Sequence, residues 1–219
     1  MSGSHPHEPG HDQPHGHRHR QYGVPMEVVE TALRELLAAK GIIDPERLRH
    51  TEEALERRRP ENGARFVARF WSDPAFAARA RADAVAAAAE LGYDLSTGPE
   101  LVVLENDARV HHVTVCTLCS CSPTNLIGSP PAWYKGEAYR RRVVRDPRGV
   151  LAEWGTHLPA STELRVVDTT TETRYLVIPQ RPAGTEGWSE ERLAKLVTWD
   201  SMYGVELPLE PASLTELGS

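Results

Sequence analysis

The chain has 219 residues, of which 40% are hydrophobic and 26% charged, enough for one large domain or a domain with an arm. Its formal net charge of −6 argues against nucleic acid as a partner, and no apolar run is long enough to span a membrane. Because nothing at the N-terminus resembles a signal peptide, we expect a cytoplasmic protein.

Residues 1–24 combine histidines with Gly, Pro, Asp and Gln. A segment of this composition cannot bury a core, so we expect it to be disordered. It is either a metal-gathering tail or a solvated tail with incidental metal affinity. Six of the ten histidines lie in it: His5, His7, His11, His15, His17 and His19.

Two helices are predicted in residues 25–59. The first, residues 25–40, has apolar residues at helical spacing and ends at Gly41. Asp44 and Pro45 then form an N-cap and first turn for a second helix that extends to about Arg59. This second helix is heavily charged and has few apolar residues. It therefore either stays solvated or contacts another subunit.

Two further helices are predicted at residues 63–71 and 73–91, and Gly92 ends the second of them. Their aromatic residues, Phe66, Phe70, Trp71 and Phe76, are expected in the core. We assign residues 25–95 to a helical arm.

After residue 96 the pattern changes to short strands. Strands are predicted at residues 101–105, 112–115, 164–168 and 174–178, with a turn at residues 169–171. Helices are predicted after Pro131, from Pro147 to Gly155, and after Ser189. This order predicts an α+β domain with helices covering the sheets, over residues 96–207, followed by a polar tail over residues 208–219.

All three cysteines lie in one C-x-x-C-x-C motif, residues 116–121, directly after the second predicted strand. A disulfide would leave one sulfur unpaired and would need an oxidising compartment. Structural zinc would need a fourth ligand, which could come only from His111, His112 or His157.

A third possibility follows from chelate geometry. The sulfurs of Cys119 and Cys121 and the backbone amides of Ser120 and Cys121 can form a square plane of two sulfurs and two nitrogens around one ion. Cys116, one turn earlier, can bind axially, which leaves one position open for water or substrate. Deprotonated amides and soft sulfurs favour trivalent iron or cobalt.

The motif VCTLCSC at residues 115–121 resembles the metal-binding segment of the nitrile hydratase alpha subunit, and weaker likeness covers about residues 25–207. The gamma subunit of thiocyanate hydrolase carries the same motif and stays an alternative, as does a non-catalytic zinc protein. Three flanking segments share the likeness: PPAWYK (130–135), RVVRDPRGVL (142–151) and PQRPAGTEGWS (179–189).

The resemblance implies a helical arm followed by a layered α-β-β-α domain. It implies that the arm contacts a beta subunit, which is one chain or two, and that a metallochaperone assists assembly. Members with Thr at position 117 typically carry cobalt and those with Ser carry iron. We therefore expect one Co³⁺ per chain, with iron as the alternative, bound by Cys116, Cys119, Ser120 and Cys121.

The resemblance also implies hydration of a nitrile to its amide, with Cys119, Ser120 and Cys121 as the catalytic residues. Cys119 becomes a sulfinate, Cys121 a sulfenate, and Cys116 stays an unmodified axial thiolate. The Cys121 sulfenate oxygen is the preferred nucleophile, and a water is the second choice. Arginines of the beta subunit are expected to hold the sulfur-bound oxygens, so the chain alone is expected to be inactive.

Two positions depart from the family pattern. Thr124 replaces a tryptophan that usually lines the substrate pocket, and Thr97 stands where a glutamine is common. With Trp133 as a third pocket residue, these changes predict a bulkier nitrile, such as a heteroaromatic or nucleoside-like one.

Arginines follow the motif at positions 140, 141, 142, 145 and 148. Three thiolates and two amidates around a trivalent ion leave a net negative charge that nearby cations must offset. At least one of Arg142, Arg145 and Arg148 is therefore expected either behind the ligands or at the partner subunit.

Overall fold

The computed structural model describes residues 25–216. The expected His-rich tail, residues 1–24, lies outside the described residues. By their contacts, the residues form two compact units that divide between Arg49 and His50.

The first unit contains helix α1 (Met26–Ala39), which has no buried residue and ends before Gly41, whose φ is +65°. The Asp44 carboxylate accepts hydrogen bonds from the backbone N–H groups of Glu46 and Arg47. It thereby begins helix α2 (Pro45–Glu56), as the sequence predicts.

The first helices that contribute to the core of the second unit are α3 (Pro60–Ser72), α4 (Pro74–Ala82) and α5 (Ala84–Glu90). The prediction of one helix over residues 73–91 is wrong. The backbone is extended at Asp83, and the Asp83 carboxylate accepts a hydrogen bond from the N–H of Ala86 to cap α5. An aspartate side chain can replace the helical backbone hydrogen bonds in this way, so it favours a cap over a helix interior.

Phe66, Phe70 and Phe76 are buried in the core, as predicted, whereas Trp71 is half-buried and packs against the core. Phe66 and Phe76 are fully buried and meet edge to face at 5.2 Å between ring centroids. Helices α3, α4 and α5 contribute buried residues to the main core cluster, and all three lie within the second unit, which begins at His50.

The four predicted strands are present as β1 (Glu100–Glu105), β2 (Val110–Val115), β3 (Glu163–Asp168) and β4 (Thr173–Ile178). They form two parallel pairs, β1 with β4 and β2 with β3. The turn after β3 therefore carries the chain from one sheet to the other. The expected mixture of helices and strands is confirmed.

Short helices surround the strands. The helix predicted after Pro131 is two helices, because the backbone at Gly136 is extended between them. No helix among residues 25–216 is long and apolar enough to cross a membrane. The remaining elements are α6 (Thr124–Ile127), α7 (Ala132–Lys135), α8 (Glu137–Val143), α9 (Pro147–Glu153), α10 (Glu190–Ala194), a 3-10 helix (Asp200–Tyr203) and α11 (Ser213–Glu216).

Candidate metal centre

The cysteine loop, residues 116–121, begins where β2 ends. Parallel pairing places Val115, the last residue of β2, opposite Asp168, the last residue of β3. The Asp168 carboxylate therefore lies beside the loop. It accepts hydrogen bonds from the Thr117 backbone N–H (3.0 Å) and hydroxyl (2.5 Å), which fix the residue after Cys116.

The far end of the loop is fixed through one carbonyl group. The Cys121 carbonyl oxygen accepts hydrogen bonds from the hydroxyls of Tyr134 (2.8 Å) and Thr169 (2.9 Å). Before the loop, the Tyr139 hydroxyl donates to the Thr114 carbonyl at 2.6 Å. Tyr134 is fully buried, so the backbone on both sides of the sulfurs is anchored in the core.

The three sulfurs lie together. Cys116 Sγ is 3.3 Å from Cys119 Sγ, which is 3.1 Å from Cys121 Sγ. All three fall within 4.8 Å of one another, and none is bonded to another. A disulfide has its sulfurs about 2 Å apart, so the disulfide interpretation is wrong.

The surroundings of the loop shift the pKa values of two of its thiols in opposite directions. Burial works to raise the pKa of Cys116, but the backbone N–H groups of Cys119 and Cys121 outweigh it and lower that pKa to about 7. Burial, followed by the neighbouring Cys119, raises the pKa of Cys121 to about 11, although the nearby Arg174 opposes this. A metal that takes both as thiolates must displace the Cys121 proton.

None of the histidines within residues 25–216 completes a zinc site. His111 is buried, with Nδ1 3.2 Å from the Asn106 amide nitrogen and Nε2 2.7 Å from the Gly204 carbonyl oxygen, so both ring nitrogens are engaged. His112 Nδ1 lies 3.1 Å from the Asn106 side-chain oxygen, and His157 is exposed. Among residues 25–216, the three cysteines form the only metal-ligand cluster of at least three His, Cys, Asp or Glu side chains.

Backbone amides of the loop are further donors near the sulfurs. The Ser120 amide takes no part in the hydrogen bonds found within residues 25–216. Three soft sulfurs with an adjacent amide fit a trivalent iron or cobalt ion better than zinc, which normally has four side-chain ligands.

Arg142, Arg145 and Arg148, of which at least one is expected behind the ligands or at the partner subunit, make no contact with the cysteine loop among the hydrogen bonds and ion pairs of residues 25–216. Arg142 forms a two-point ion pair with Glu153, at 2.8 and 2.5 Å, on the protein surface. Arg148 donates to the carbonyls of residues 158, 159 and 162, and thus ties α9 to the loop before β3. Arg145 is exposed, and its side chain takes no part in the hydrogen bonds or ion pairs of the described residues.

Two other arginines reach the loop. Arg140 on α8 places Nη1 3.5 Å from the Thr117 carbonyl oxygen, and its Nε is buried without a hydrogen-bond partner in the described chain. Arg174 on β4 lowers the pKa of Cys121 by its charge. Their positions in the sequence do not predict that they lie near the loop, because tertiary packing brings α8 and β4 to it.

The three predicted pocket residues are not together. Thr124 lines a small pocket together with Ser122, Asn125 and Arg174. The volume of this pocket is about 20 Å³, which is room for about one water molecule. The expectation that Thr124 leaves room for a ring is therefore not met there. Thr97 lines a different and larger cleft.

Trp133 belongs to the core rather than to either pocket. Its Nε1–H donates to the Asp200 carboxylate at 3.1 Å. Its ring meets Tyr134, Tyr139 and Trp154 edge to face, at 4.9 to 5.7 Å between centroids. This packing fixes α7 against α8 and α9 and leaves Trp133 outside the pocket.

Comparison with known proteins gives consistent results. The family model "Nitrile hydratase, alpha chain" matches residues 24–206. The alpha subunit of the low-molecular weight cobalt-containing nitrile hydratase of Rhodococcus rhodochrous is 49% identical over 182 residues, covering 83% of this chain and 88% of the relative. The thiocyanate hydrolase gamma subunit of Thiobacillus thioparus is 41% identical over 194 residues, covering 84% and 80%.

Among solved structures, a double mutant of the Fe-type nitrile hydratase from Comamonas testosteroni Ni1 superposes with a TM-score of 0.76 at 44% identity. The match covers 85% of this chain and 91% of that one. The cysteine loop and the flanking segments identified in the sequence all lie within the matched region. The chain belongs to the nitrile hydratase alpha-chain family.

Proposed function

We propose that this chain is the catalytic alpha subunit of a cobalt nitrile hydratase, which adds water to a nitrile to form the amide. The observation that supports this most directly is the cluster of three free sulfurs at the end of β2, in a chain of this family. Relatives from Rhodococcus rhodochrous and Pseudonocardia thermophila, 49% and 47% identical, are described as cobalt-containing.

Cys116, Cys119 and Cys121 would hold one Co³⁺ per chain through their sulfurs, and Ser120 and Cys121 through their amides. Iron is the alternative metal, since the Fe-type relative is 44% identical. A trivalent ion bound here would supply Lewis acidity to polarise the nitrile.

The exposure of the cysteines supports the proposed oxidation pattern. Cys119 is exposed and Cys121 half-buried, so dissolved oxidants reach both. Cys116 is only 2% exposed, consistent with a thiolate that stays unmodified. Cys119 would become a sulfinate and Cys121 a sulfenate.

In this scheme the Cys121 sulfenate oxygen would bond to the nitrile carbon, and one water would then restore the oxygen on sulfur as the S–O bond breaks and would supply both protons of the amide nitrogen. A nearby water that attacks the carbon directly is the second candidate nucleophile. The hydroxyls of Tyr134 and Thr169 hold the Cys121 carbonyl, so the sulfur is presented on a fixed backbone. Arg140 and Arg174 supply the positive charge that a negatively charged centre requires.

The chain is proposed to act in the cytoplasm with a beta subunit, one chain or two, and to receive its metal from a metallochaperone. Helix α1 supports the association with a beta subunit, because its apolar residues Met26, Val29, Leu33 and Leu36 are between 45 and 78% exposed. An amphipathic helix with no buried residue of its own is typical of a segment that binds another chain.

The test is to co-express the chain with its beta-type partner and measure three quantities: amide formation, metal content and peptide mass. We expect about one cobalt per chain, and a gain of three oxygens on the peptide containing residues 116–121. The chain expressed alone serves as the control and should form no amide. Zinc in place of cobalt, with unoxidised cysteines and no amide, would instead support the non-catalytic metal-binding alternative.

Thiocyanate hydrolysis is the second candidate function, because the gamma-subunit relative is 41% identical. Incubating the same complex with thiocyanate distinguishes the two. Release of carbonyl sulfide and ammonia, without hydration of any nitrile, would assign the chain to thiocyanate hydrolysis.

A bulky heteroaromatic nitrile is the proposed substrate class. The pocket beside Thr124 does not provide the volume, so the bulk would occupy the larger cleft, which Asn125 lines as well as the pocket. Turnover of a cyano-heterocycle and of a small aliphatic nitrile should be compared in wild type and in Thr124→Trp. A marked wild-type preference for the small nitrile would contradict this substrate class.

A further inference from the structure

A cleft beside the small pocket carries three consecutive arginines, Arg57, Arg58 and Arg59, in the segment between α2 and α3. Its volume is about 790 Å³, within the range of small-molecule sites. Four arginines and two carboxylates line it, so the cleft is positive on a chain whose net charge is −6. The fourth arginine is Arg65, and the carboxylates are Glu61 and Asp94.

The arginine segment is held in place by its backbone. The Asn62 side-chain amide donates to the carbonyl of Arg57 at 2.7 Å and to the carbonyl of Leu126 at 3.1 Å. Gly128 packs so closely that a Cβ there would lie 2.6 Å from the Arg58 carbonyl oxygen. The segment is therefore fixed against α6, the helix that carries Thr124 and Asn125.

The guanidinium groups of Arg57, Arg58 and Arg59 take no part in the hydrogen bonds and ion pairs found within residues 25–216. Elsewhere in the second unit, arginines are commonly paired with a glutamate: Arg69 with Glu190, Arg79 with Glu90, Arg81 with Glu105, Arg142 with Glu153 and Arg165 with Glu163. Three arginines that follow one another in the sequence, line the same cleft and have no such partners can bind an external anion, and the planar guanidinium matches phosphate in particular.

The cleft and the small pocket next to the cysteine loop share one lining residue, Asn125. Thr124 also lines the pocket, and Thr97 also lines the cleft. The two positions that depart from the family pattern, 97 and 124, thus each line a space that Asn125 lines as well. Tyr93 adds an aromatic ring to the wall of the cleft.

We propose that this cleft binds a phosphate group on the substrate, at the end remote from the nitrile carbon. The inference rests on the proposed function and narrows its substrate class to a phosphate-bearing, heteroaromatic nitrile. The ring would pass Asn125 and Tyr93, and the phosphate would be bound by Arg57, Arg58 and Arg59.

The experiment uses the assembled, metal-loaded complex and two substrates: a hydroxyl-bearing cyano-heterocycle and its phosphate monoester. We expect kcat/KM for the ester to exceed that for the neutral nitrile by about tenfold or more at low salt, because charge-assisted bonds to phosphate are strong and screened by ions. The Arg57→Gln/Arg58→Gln double variant should bring the two values within about twofold, by lowering only the value for the ester.

Arg109→Gln is the matched control. Arg109 is 89% exposed in the turn between β1 and β2 and does not line the cleft. Its replacement should therefore leave kcat/KM unchanged for both substrates. Inorganic phosphate should compete with the ester and leave the neutral nitrile unaffected.

The outcomes separate this inference from the proposed function. Equal kcat/KM for the two substrates, or a preference for the ester that survives in the double variant, overturns the inference and leaves nitrile hydration intact. Loss of subunit assembly in the double variant also overturns it, because the arginines would then serve the interface.

If neither nitrile is hydrated, the proposed function fails, and calorimetry with inorganic phosphate decides whether the cleft is an anion site. Binding to wild type that is lost in the double variant supports the site. Absence of binding to wild type overturns it.

Discussion

Asp168 and Thr117 are 51 positions apart in the sequence and joined by two hydrogen bonds, at 3.0 Å to the backbone nitrogen and 2.5 Å to the hydroxyl. The parallel register of β2 and β3 creates this contact, since Val115 is paired with Asp168. The residue associated with metal type in this family is therefore held by a carboxylate from another strand.

Replacing Asp168 should loosen the start of the cysteine loop. We expect Asp168→Ala to reduce cobalt content at least about threefold while lowering unfolding free energy by only about 1–2 kcal/mol, because two exposed hydrogen bonds are lost. Metal analysis and chemical denaturation of the purified complex measure the two effects.

The control for this change is Asp107→Ala, which also removes a carboxylate that accepts two backbone N–H groups, those of Arg109 and Val110. Asp107 precedes the start of β2, whereas the loop begins at the end of that strand. Asp107→Ala should lower the unfolding free energy by a similar amount and leave the cobalt content unchanged. Equal cobalt loss in both variants would show that the effect is general destabilisation.

Arg140 should matter for the charge of the centre. We expect Arg140→Gln to lower cobalt retention at least about twofold, because an uncompensated negative centre is costly when partly buried. Arg141→Gln is the control, since Arg141 is exposed and paired with Glu137 one helical turn away. If the two variants retain the same amount of cobalt, Arg140 does not serve the centre.

Tyr134 should affect the electronic environment of the centre more than the fold. Tyr134→Phe removes the hydroxyl that binds the Cys121 carbonyl, so we expect a shifted sulfur-to-metal absorption band and a loss of about 1 kcal/mol of stability. Tyr139→Phe, which frees the Thr114 carbonyl, should cost stability and leave the band unchanged. An unchanged band in Tyr134→Phe would contradict this role.

Stability should fall on mild acidification because of His111. Burial lowers its pKa below the ordinary 6.5, so the unfolded chain takes up a proton before the folded chain does. The stability associated with this histidine is fully present above pH 6.5 and is lost as pH falls through the lowered folded pKa. His112 has a pKa lowered by burial as well, so it adds to the same trend.

Denaturation midpoints at pH 7.5 and 5.5 test this. Glutamine can mimic both contacts of His111, to Asn106 and to the Gly204 carbonyl, without titrating. We therefore expect His111→Gln to show a smaller drop between the two pH values than wild type. An equal drop would place the acid sensitivity elsewhere.

Gly204 is predicted to tolerate no side chain. Its φ is +80°, and a Cβ would lie 1.9 Å from the His112 carbonyl oxygen on β2. We expect Gly204→Ala to cost more than about 3 kcal/mol or to prevent folding, since backbone cannot give way. Gly155→Ala, with φ +86° and nothing within 4 Å, should cost only about 1 kcal/mol by thermal unfolding.

The sequence was sufficient to locate the four strands and the sulfur cluster. Alternating apolar residues predict all four strands, and the C-x-x-C-x-C spacing brings three sulfurs together because so short a loop cannot separate them. Helix ends marked by a capping aspartate and a proline, as at Asp44 and Pro45, were also found. These are local signals, set by neighbouring residues.

What only the tertiary structure decided is which distant residues meet the loop. Asp168, Thr169 and Arg174 reach it because β3 pairs with β2 while β4 pairs with β1, and no local pattern encodes strand pairing. Trp133 is the opposite case. It lies near the motif in the sequence, but in the folded protein it packs among aromatic side chains away from the pocket. Composition and spacing determine which secondary structure a segment can form. Which other segments it contacts in the folded protein depends on how separate segments bury their apolar faces together.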